Sequence, residues 1–450
     1  MFQKILVANR GEIALRIMRA CKELDVRSVA VHSLADTDSL HVKFADEAIC
    51  IGPHPPSDSY LSANRILSAA EVSGADAIHP GYGFLSENPE FAEMCESAGF
   101  TWIGPAPETI LKMGNKSLAK QMMGESGVPV VPGSKGAVDT EKEALKVAED
   151  IGYPILVKAS SGGGGKGMRV ADSPEALADS ILIARAEAER NFGDPSIYLE
   201  RYLADPKHVE VQLLGDREGR VVHLGERDCS IQRRHQKLVE ESPCPSISNE
   251  LRERLFEAAV KGTEAMKYYS AGTMEFLVEG DEFFFMEMNT RIQVEHPVTE
   301  MVTGRDLVKE QIAIAAGEPL SFGQDEVEFR GHAIECRVNA EDPRQDFLPS
   351  PGDISFFHLP GGAGVRVDSH VYQGYRISPY YDSMIAKIIC HGQDRMEAIG
   401  RMKRALEECV VDGVSTTLEF HHAIVQDPKF IAGDLSTRFL ERIDWWDAKK

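Results

Sequence analysis

The sequence has no run of apolar residues long enough to cross a bilayer, which argues against a helical membrane domain. It has no C-x-x-C pair either. Its eight cysteines (Cys21, Cys50, Cys95, Cys229, Cys244, Cys336, Cys390 and Cys409) are scattered without the spacing of a secreted disulfide framework, so reduced thiols in a cytosol are expected. Positive charge is scarce: 49 Lys and Arg stand against 71 Asp and Glu. The resulting net charge of -22 repels polyanions and argues against general nucleic-acid or anionic-membrane binding. Any phosphate site must therefore be local. The opening Met1 to Val7 lacks the long apolar region and cleavage site of a signal peptide, which agrees with a cytoplasmic chain. No low-complexity tract or internal repeat is visible.

What is present is ordinary globular chemistry, with 43% hydrophobic and 27% charged residues over 450 positions, enough for three domains at about 150 residues each. From Lys4 to Gly114 short β-branched runs alternate with helical ones (Ile5 to Ala8, Glu12 to Leu24, Ser28 to His32), which predicts a parallel sheet wrapped by helices over 1–114. A second unit, 115–203, opens with a helix from Lys116 to Ser126 and carries a Thr140/Glu143 capping box and a helix from Ser173. The remainder, 204–447, mixes hairpins and helices in α+β fashion.

In the second unit, Pro154 to Lys158 reads as a strand, followed by a loop of Gly162, Gly163, Gly164, Gly165, Lys166 and Gly167, then the strand-like Met168 to Val170. Gly162-x-Gly164-x-x-Gly167 formally satisfies a dinucleotide fingerprint, but that motif needs a helix at its third glycine, and the next helix begins only at Ser173. A Walker A loop also fails, because Lys166 is followed by Gly167 rather than Ser or Thr. A hairpin lid remains, whose glycines let backbone N–H groups approach phosphate closely.

A second hairpin runs from Gly272 to Met288. Turning regularly at Glu279 to Asp281, it sets Glu275 and Glu287 directly opposite each other with Cβ atoms about 5 Å apart. Like charges at that distance repel, and a divalent cation removes the penalty. Asn289, two residues on and on the same face, adds a neutral oxygen. The bland alternative, an exposed acidic edge, is disfavoured by Phe276, Leu277 and Phe283 to Phe285, which mark the hairpin as buried.

The segment Phe285 to Arg291 resembles the metal signature of ATP-grasp ligases, and Tyr153 to Ser160 with the glycine loop resembles their nucleotide signature. Joined to Arg291-Ile292-Gln293-Val294-Glu295-His296-Pro297-Val298-Thr299-Glu300, to Glu226 through Lys237 and to His79 through Asn88, they resemble the biotin carboxylase family over nearly the whole chain. That resemblance implies an ATP-grasp fold, mixed α/β and α+β. An N-terminal doubly wound (Rossmann-like) domain would be followed by a mobile lid and a larger C-terminal α+β domain. It implies an ATP-dependent ligase in which bicarbonate attacks the γ-phosphate to give carboxyphosphate and the carboxyl group passes to N1′ of biotin. This is the first half-reaction of an acetyl-CoA, other acyl-CoA or pyruvate carboxylase.

By resemblance, Lys116 and Lys158 meet ATP phosphates under the Gly162 to Gly167 loop. Glu200, Arg201, Tyr202 and Leu203 line the adenine through the main chain, and His208, Gln232 and His235 complete the pocket. Mg²⁺ or Mn²⁺ sits at Glu275, Glu287 and Asn289. Lys237, Arg291, Gln293 and the Val294 N–H hold bicarbonate, Glu295 is the general base, Arg337 stabilises the enolate-like biotin anion and Tyr82 borders the biotin site. Local positive charge in so acidic a chain suits an anion, and Arg's forked donors suit a planar one. Arg201 stands where the family often has Lys, and Arg438 where it has His or a small residue; Arg438 is given no role.

Other ATP-grasp ligases, of the carbamoyl-phosphate or purine type, are disfavoured by the Arg291 to Glu300 run. A regulatory ATP module is disfavoured because Lys237, Glu287, Arg291 and Arg337 are all present. Ala265-Met266-Lys267 resembles a biotinylation core, but Tyr268 follows and the triplet ends a helical pattern, so Lys267 reads as a helix residue. A biotin carboxyl carrier protein and carboxyltransferase subunits on separate chains are the expected partners, together with a homodimer.

Overall fold

A computed structural model describes residues 1–134, 136–138, 140–159, 168–192 and 195–445. The glycine loop, residues 162–167, lies outside the described residues. The alternating pattern of the N-terminal segment folds as its periodicity dictates. Strands β1 (Lys4–Val7), β2 (Arg27–Ser33), β3 (Glu47–Gly52), β4 (Ala77–His79) and β5 (Thr101–Trp102) form a parallel sheet of order β3-β2-β1-β4-β5. The order reverses beside β1, and helices Gly11–Glu23, Ala63–Ser73 and Pro89–Ser97 connect the strands. Ile5, Leu6 and Val7 are fully buried, as a strand covered on both faces requires.

The next sheet has three strands: β6 (Ile155–Ala159), β7 (Met168–Ala171) and β8 (Ile197–Arg201), in order β7-β6-β8, with β6 antiparallel to both neighbours. Lys158 pairs with Met168, so the glycine stretch joins two antiparallel strands. Thr140 caps helix Glu141–Ile151 by accepting from the Glu143 N–H at 3.2 Å, the N-cap half of the expected capping box. Helix Lys116–Glu125 packs elsewhere: its Ala119 and Met123 join the core of the largest sheet with Val209, Val211 and Phe285.

That largest sheet has eight strands. In spatial order they are β13 (Glu282–Asn289), β12 (Ser270–Glu279), β9 (Lys207–Gly215), β10 (Val221–Arg233), β11 (Gln236–Ser242), β14 (His332–Asn339), β21 (Met384–Gly392) and β19 (Val365–Ser369). Three short ladders flank it: β15 (Glu341–Asp342) with β16 (Leu348–Pro349), β17 (Gly352–Asp353) with β20 (Arg376–Ile377), and β18 (Phe356–His358) with β22 (Val410–Asp412). Alternation along β9 sends Val209, Val211 and Leu213 into an apolar core shared with helix Asn249–Ala265, and His208, Glu210 and Gln212 to the opposite face. Helix His296–Thr303 packs on β10, β11, β14 and β21. Helix Asn249–Ala265 stops before Lys267, which takes a left-handed φ of 52° in the turn beyond the Met266 cap. Lys267 is thus a turn residue rather than the helix residue its spacing suggests, because Tyr268 is drawn into the core and bends the chain inward.

Candidate active site

The Glu275/Glu287 juxtaposition exists, but it is built differently from the regular hairpin read from the sequence. The turn has two residues, Gly280 and Asp281, with Gly280 at φ 60° in the first position, where a tight hairpin favours glycine. From that turn the register pairs Glu279 with Glu282 and Phe276 with Phe285, which would place Glu287 one residue out of step. A β-bulge leaves Met286 unpaired and returns Glu287 to a position opposite Glu275. The bulge is what aims Glu287 at its partner.

From this hairpin a row of charged and polar side chains crosses the sheet: Glu287 on β13, Glu275 on β12, Glu210 on β9, Arg227 on β10, Lys237 and Glu240 on β11, Glu335 and Arg337 on β14 and Lys387 on β21. Register explains the row, since Glu210 faces both Glu275 and Arg227 across β9, Glu240 faces Glu335, and Arg337 faces Lys387. Of this row Glu287, Glu275, Lys237 and Arg337 line a cleft of about 2520 Å³.

Lys237 is its hub. Its ammonium donates to Glu210 Oε2 at 2.5 Å, Glu295 Oε1 at 2.7 Å and Glu275 Oε1 at 2.9 Å, so all three protons are engaged. Burial alone would favour the neutral amine, but Cys229 and these three carboxylates outweigh it and push the Lys237 pKa well above its ordinary value. Glu295 is held between Lys237 and Arg337, whose Nη2 donates to Glu295 Oε2 at 3.0 Å. Burial would raise its pKa, yet Lys237, Arg337 and Arg227 hold it well below the carboxylate range.

Arg227 is fully buried and donates to Glu210, Gln212, Thr299, Thr273 and Gln293, so its five N–H groups are all satisfied. Its bond to Gln293 Oε1, 2.7 Å, turns the Gln293 amide so that Nε2 donates to Glu275 Oε1, also at 2.7 Å. Arg291 donates to Glu87 Oε2 and to Asn289 Oδ1, each at 2.8 Å. Asn289 Nδ2 in turn reaches Glu275 at 2.8 Å.

Behind Arg337 lie two carboxyls with a different fate. Glu240 contacts Arg337 Nε at 2.6 Å, but burial dominates and, with Glu295 nearby, moves its pKa up to about 7. Glu335, opposite it and without a hydrogen-bond partner among the described residues, is pushed well above the carboxylate range by burial against the attraction of Lys387. Two adjacent buried carboxyls cannot both ionise at low cost.

The other end of the cleft is wetter. Lys116 is 75% exposed and meets Glu287, itself 31% exposed, at 2.9 Å. Lys158 on β6 donates to Glu200 Oε2 at 2.5 Å, and Lys120, one turn beyond Lys116, takes the other Glu200 oxygen. Burial would raise the Glu200 pKa, but the two lysines hold it below its usual value. The residues fit a hard divalent cation. Glu287 is open, Asn289 is two positions on in the same strand, and Glu275 stays ionised because Lys237 and His208, 2.9 Å from its Oε2, overcome burial.

The cleft brings together Lys116, Lys158, Glu200, Tyr202, Leu203, His208, Gln232, His235, Lys237, Glu275, Glu287, Asn289, Arg291, Gln293, Val294, Glu295 and Arg337. Among the described residues, two of the sequence-derived positions do not line it. Arg201 points away, 2.9 Å from Glu282, and Tyr82 sits behind the wall with its hydroxyl on Glu12. The N–H groups of Arg201 and Tyr202 already donate to the carbonyls of Pro132 (2.8 Å) and Pro154 (3.0 Å), whereas the Leu203 N–H engages no acceptor among the described residues. Arg438 lines the cleft and pairs with Glu441 at 2.8 Å. Sequence reading missed Lys120, Glu210, Arg227, Glu240, Glu335 and Lys387. A signal existed for some: Lys116 and Lys120 share a helix face at i, i+4, and His208-x-Glu210-x-Gln212 places polar residues on alternate positions of an apolar strand.

Comparison with known proteins agrees with this geometry. Residues 1–110 match the family described as biotin carboxylase, N-terminal domain; residues 115–322 match the carbamoyl-phosphate synthase L chain, ATP binding domain; and residues 335–442 match the biotin carboxylase C-terminal domain. Biotin carboxylase 1 of Bacillus subtilis is 56% identical over 446 residues, covering 99% of each chain. The biotin carboxylase of Pseudomonas aeruginosa is 54% identical over 443 residues, covering 98% of each chain. Among solved structures, the biotin carboxylase domain dimer of Hydrogenobacter thermophilus 2-oxoglutarate carboxylase, in complex with MgADP, ADP and bicarbonate, superposes with a TM-score of 0.90 at 51% identity. The match covers 98% of both chains.

Proposed function

The chain belongs to the biotin carboxylase family, and on that premise we propose how its residues divide the work. It is an ATP-dependent ligase that carboxylates biotin with bicarbonate. The observation that carries the assignment of roles is Glu295 clamped between Lys237 and Arg337 beside Arg291 and Gln293, in one cleft with the lysines of the nucleotide end.

Lys116, Lys158 and Lys120 neutralise the ATP phosphates, and Glu200 to Leu203, His208, Gln232 and His235 border the base. Mg²⁺ held by Glu275, Glu287 and Asn289 supplies further neutralisation of phosphate charge. Bicarbonate takes donors from Lys237, Arg291, Gln293 and the Val294 N–H. Its arrival changes Glu295. In the free site every Lys237 proton lies on a carboxylate, so Glu295 is a weak base; when bicarbonate accepts from Lys237, Glu295 loses part of its compensation and its basicity rises as the proton to be removed is presented. The bicarbonate oxygen then attacks the γ-phosphorus and ADP leaves. Carboxyphosphate delivers its carboxyl group to N1′ of biotin as its C–O bond to phosphate breaks, the N1′ proton leaves with the released phosphate, and Arg337, already oriented by Glu295 and Glu240, faces the negative charge that develops on the ureido oxygen.

The units 1–114, 115–203 and 204–447 serve as nucleotide-flanking base, lid and catalytic platform. A biotin-bearing carrier and carboxyltransferase subunits are the partners, the assembly is a homodimer and the location is cytoplasmic. Eight unpaired cysteines support a reducing compartment. No helix among the described residues is long and apolar enough to cross a membrane.

ATP hydrolysis measured with Mg²⁺ and labelled bicarbonate, with and without biotin, tests these roles. Biotin should raise bicarbonate-dependent turnover and fix label. Arg337→Ala should lose biotin carboxylation by about a hundred-fold or more while nucleotide affinity stays within about twofold. Equal loss of ATP binding in Arg337→Ala would overturn its assignment to the biotin step.

A further inference from the structure

Lys387 is fully buried on β21, directly opposite Arg337. Two like charges at paired positions repel, so this lysine needs a reason to be there. Its ammonium donates to the Val294 carbonyl at 2.7 Å and lies 3.2 Å from Glu12 Oε1 and 4.0 Å from Asp368 Oδ2. Glu12, in the first turn of helix Gly11–Glu23, also accepts from the Tyr82 hydroxyl, and its second oxygen is buried without a hydrogen-bond partner among the described residues. One buried cation therefore joins the chain at Val294 to Tyr82 through a single carboxylate.

The peptide before Val294 is anchored as well. The Gln293 carbonyl lies 2.8 Å from His296 Nδ1, and because a carbonyl only accepts, that nitrogen carries the proton. Burial, with Lys387, Arg16 and Arg366 nearby, keeps the His296 pKa well below normal, so the ring is neutral with a fixed tautomer. In a trans peptide the N–H points opposite to the C=O. Tying the Gln293 carbonyl to His296 and the Val294 carbonyl to Lys387 fixes both peptide planes that meet at the Val294 Cα. The Val294 N–H is left directed away from His296, and it donates to no protein acceptor among the described residues.

We propose that Lys387 is a positioning residue for the reaction: by gripping the Val294 carbonyl, and by holding Tyr82 through Glu12, it fixes the main-chain donor that receives bicarbonate relative to the wall behind the biotin site. This rests on the reading that bicarbonate is bound at Val294. Lys387 touches neither substrate, so it acts through the backbone.

The test compares Lys387→Met with Lys387→Met/Glu12→Gln. The single variant leaves Glu12 buried and unpaired and can fail to fold; the double variant removes both charges and keeps the loss of the Val294 anchor. For the double variant, folded by circular dichroism, the KM for bicarbonate should rise about ten-fold or more, the loss of a charged hydrogen bond, while the KM for ATP stays within about twofold. An unchanged bicarbonate KM, or an equal rise in both KM values, overturns the proposal, since a purely structural lysine would affect both substrates alike. Arg291→Ala run in parallel separates the two levels. If it raises the bicarbonate KM and the Lys387 variant does not, only the positioning role falls; if neither does, the anion site itself is misplaced and the proposal falls with it.

Discussion

The two ends of the cleft solve the same problem, holding negative charge, in opposite ways. At the Lys237 end the cations are buried among fixed acceptors: Lys237 has three carboxylates, Arg227 has five acceptors and Arg337 lies against two glutamates. At the nucleotide end Lys116 is largely exposed, and Lys158 and Lys120 share one glutamate. The difference follows the chemistry each end faces. Developing charge on small groups rewards donors fixed in advance in a dry site, whereas a large, mobile nucleotide is better met by side chains that exchange partners as a lid closes. In the free protein Glu200 holds Lys120 and Lys158, and Glu287 holds Lys116.

Breaking the buried end should cost most. Lys237→Met leaves Glu210, Glu275 and Glu295 without their shared cation and is expected to destabilise the fold by about 3–5 kcal/mol, measured by urea unfolding, besides abolishing bicarbonate-dependent ATP hydrolysis. A loss below about 1 kcal/mol would show that the carboxylates reprotonate or hydrate freely and that this end is not preorganised.

A pH series sharpens the contrast at Glu240. Its folded pKa, raised to about 7, lies above the unfolded value, so the folded state binds more protons between roughly pH 4.5 and 7 and loses stability as pH rises through that window. Glu240→Gln removes this group, so wild type should fall behind the variant by about 2 kcal/mol as pH goes from 5 to 7, with little further change above. A difference independent of pH would mean that Glu240 is ionised throughout, with Arg337 as its full partner.

The exposed end should respond least in stability and most in ligand dependence. Lys116→Met and Glu287→Gln are expected to change stability by less than about 1 kcal/mol. Lys116→Met should raise the KM for ATP about ten-fold, the loss of one charged phosphate contact, and Glu287→Gln should raise the Mg²⁺ concentration needed for half-maximal rate. A large stability loss in either would erase the distinction between the two ends.

Much of this contrast was legible in the sequence, and unevenly. Residues within short motifs, such as Glu287 and Asn289 or Arg291 to Glu295, announce themselves because neighbours in sequence share one strand or turn. The Glu275/Glu287 pairing was legible in outcome but not in cause: centring the hairpin on Asp281 gave the right partners, whereas the chain turns through Gly280 and Asp281 and restores the pairing with a bulge at Met286. For Tyr82 the motif gave a place beside the biotin site, while the partner of its hydroxyl, Glu12 on the first helix, was set by the tertiary structure.

The sequence by itself determined the alternating parallel unit, the hairpin carrying two glutamates and the family to which the chain belongs, because each is written in local periodicity or in contiguous residues. Only the tertiary structure decided the state of the site. Lys237, Arg227, Glu240, Glu335, Arg337 and Lys387 come from strands as much as 160 residues apart in the chain, and their charges are set by which of them strand order and register bring opposite each other. Coulombic attraction and the cost of burial act through space, so two glutamates with the same side chain end as a fixed anion at Glu295 and a carboxyl poised near neutrality at Glu240.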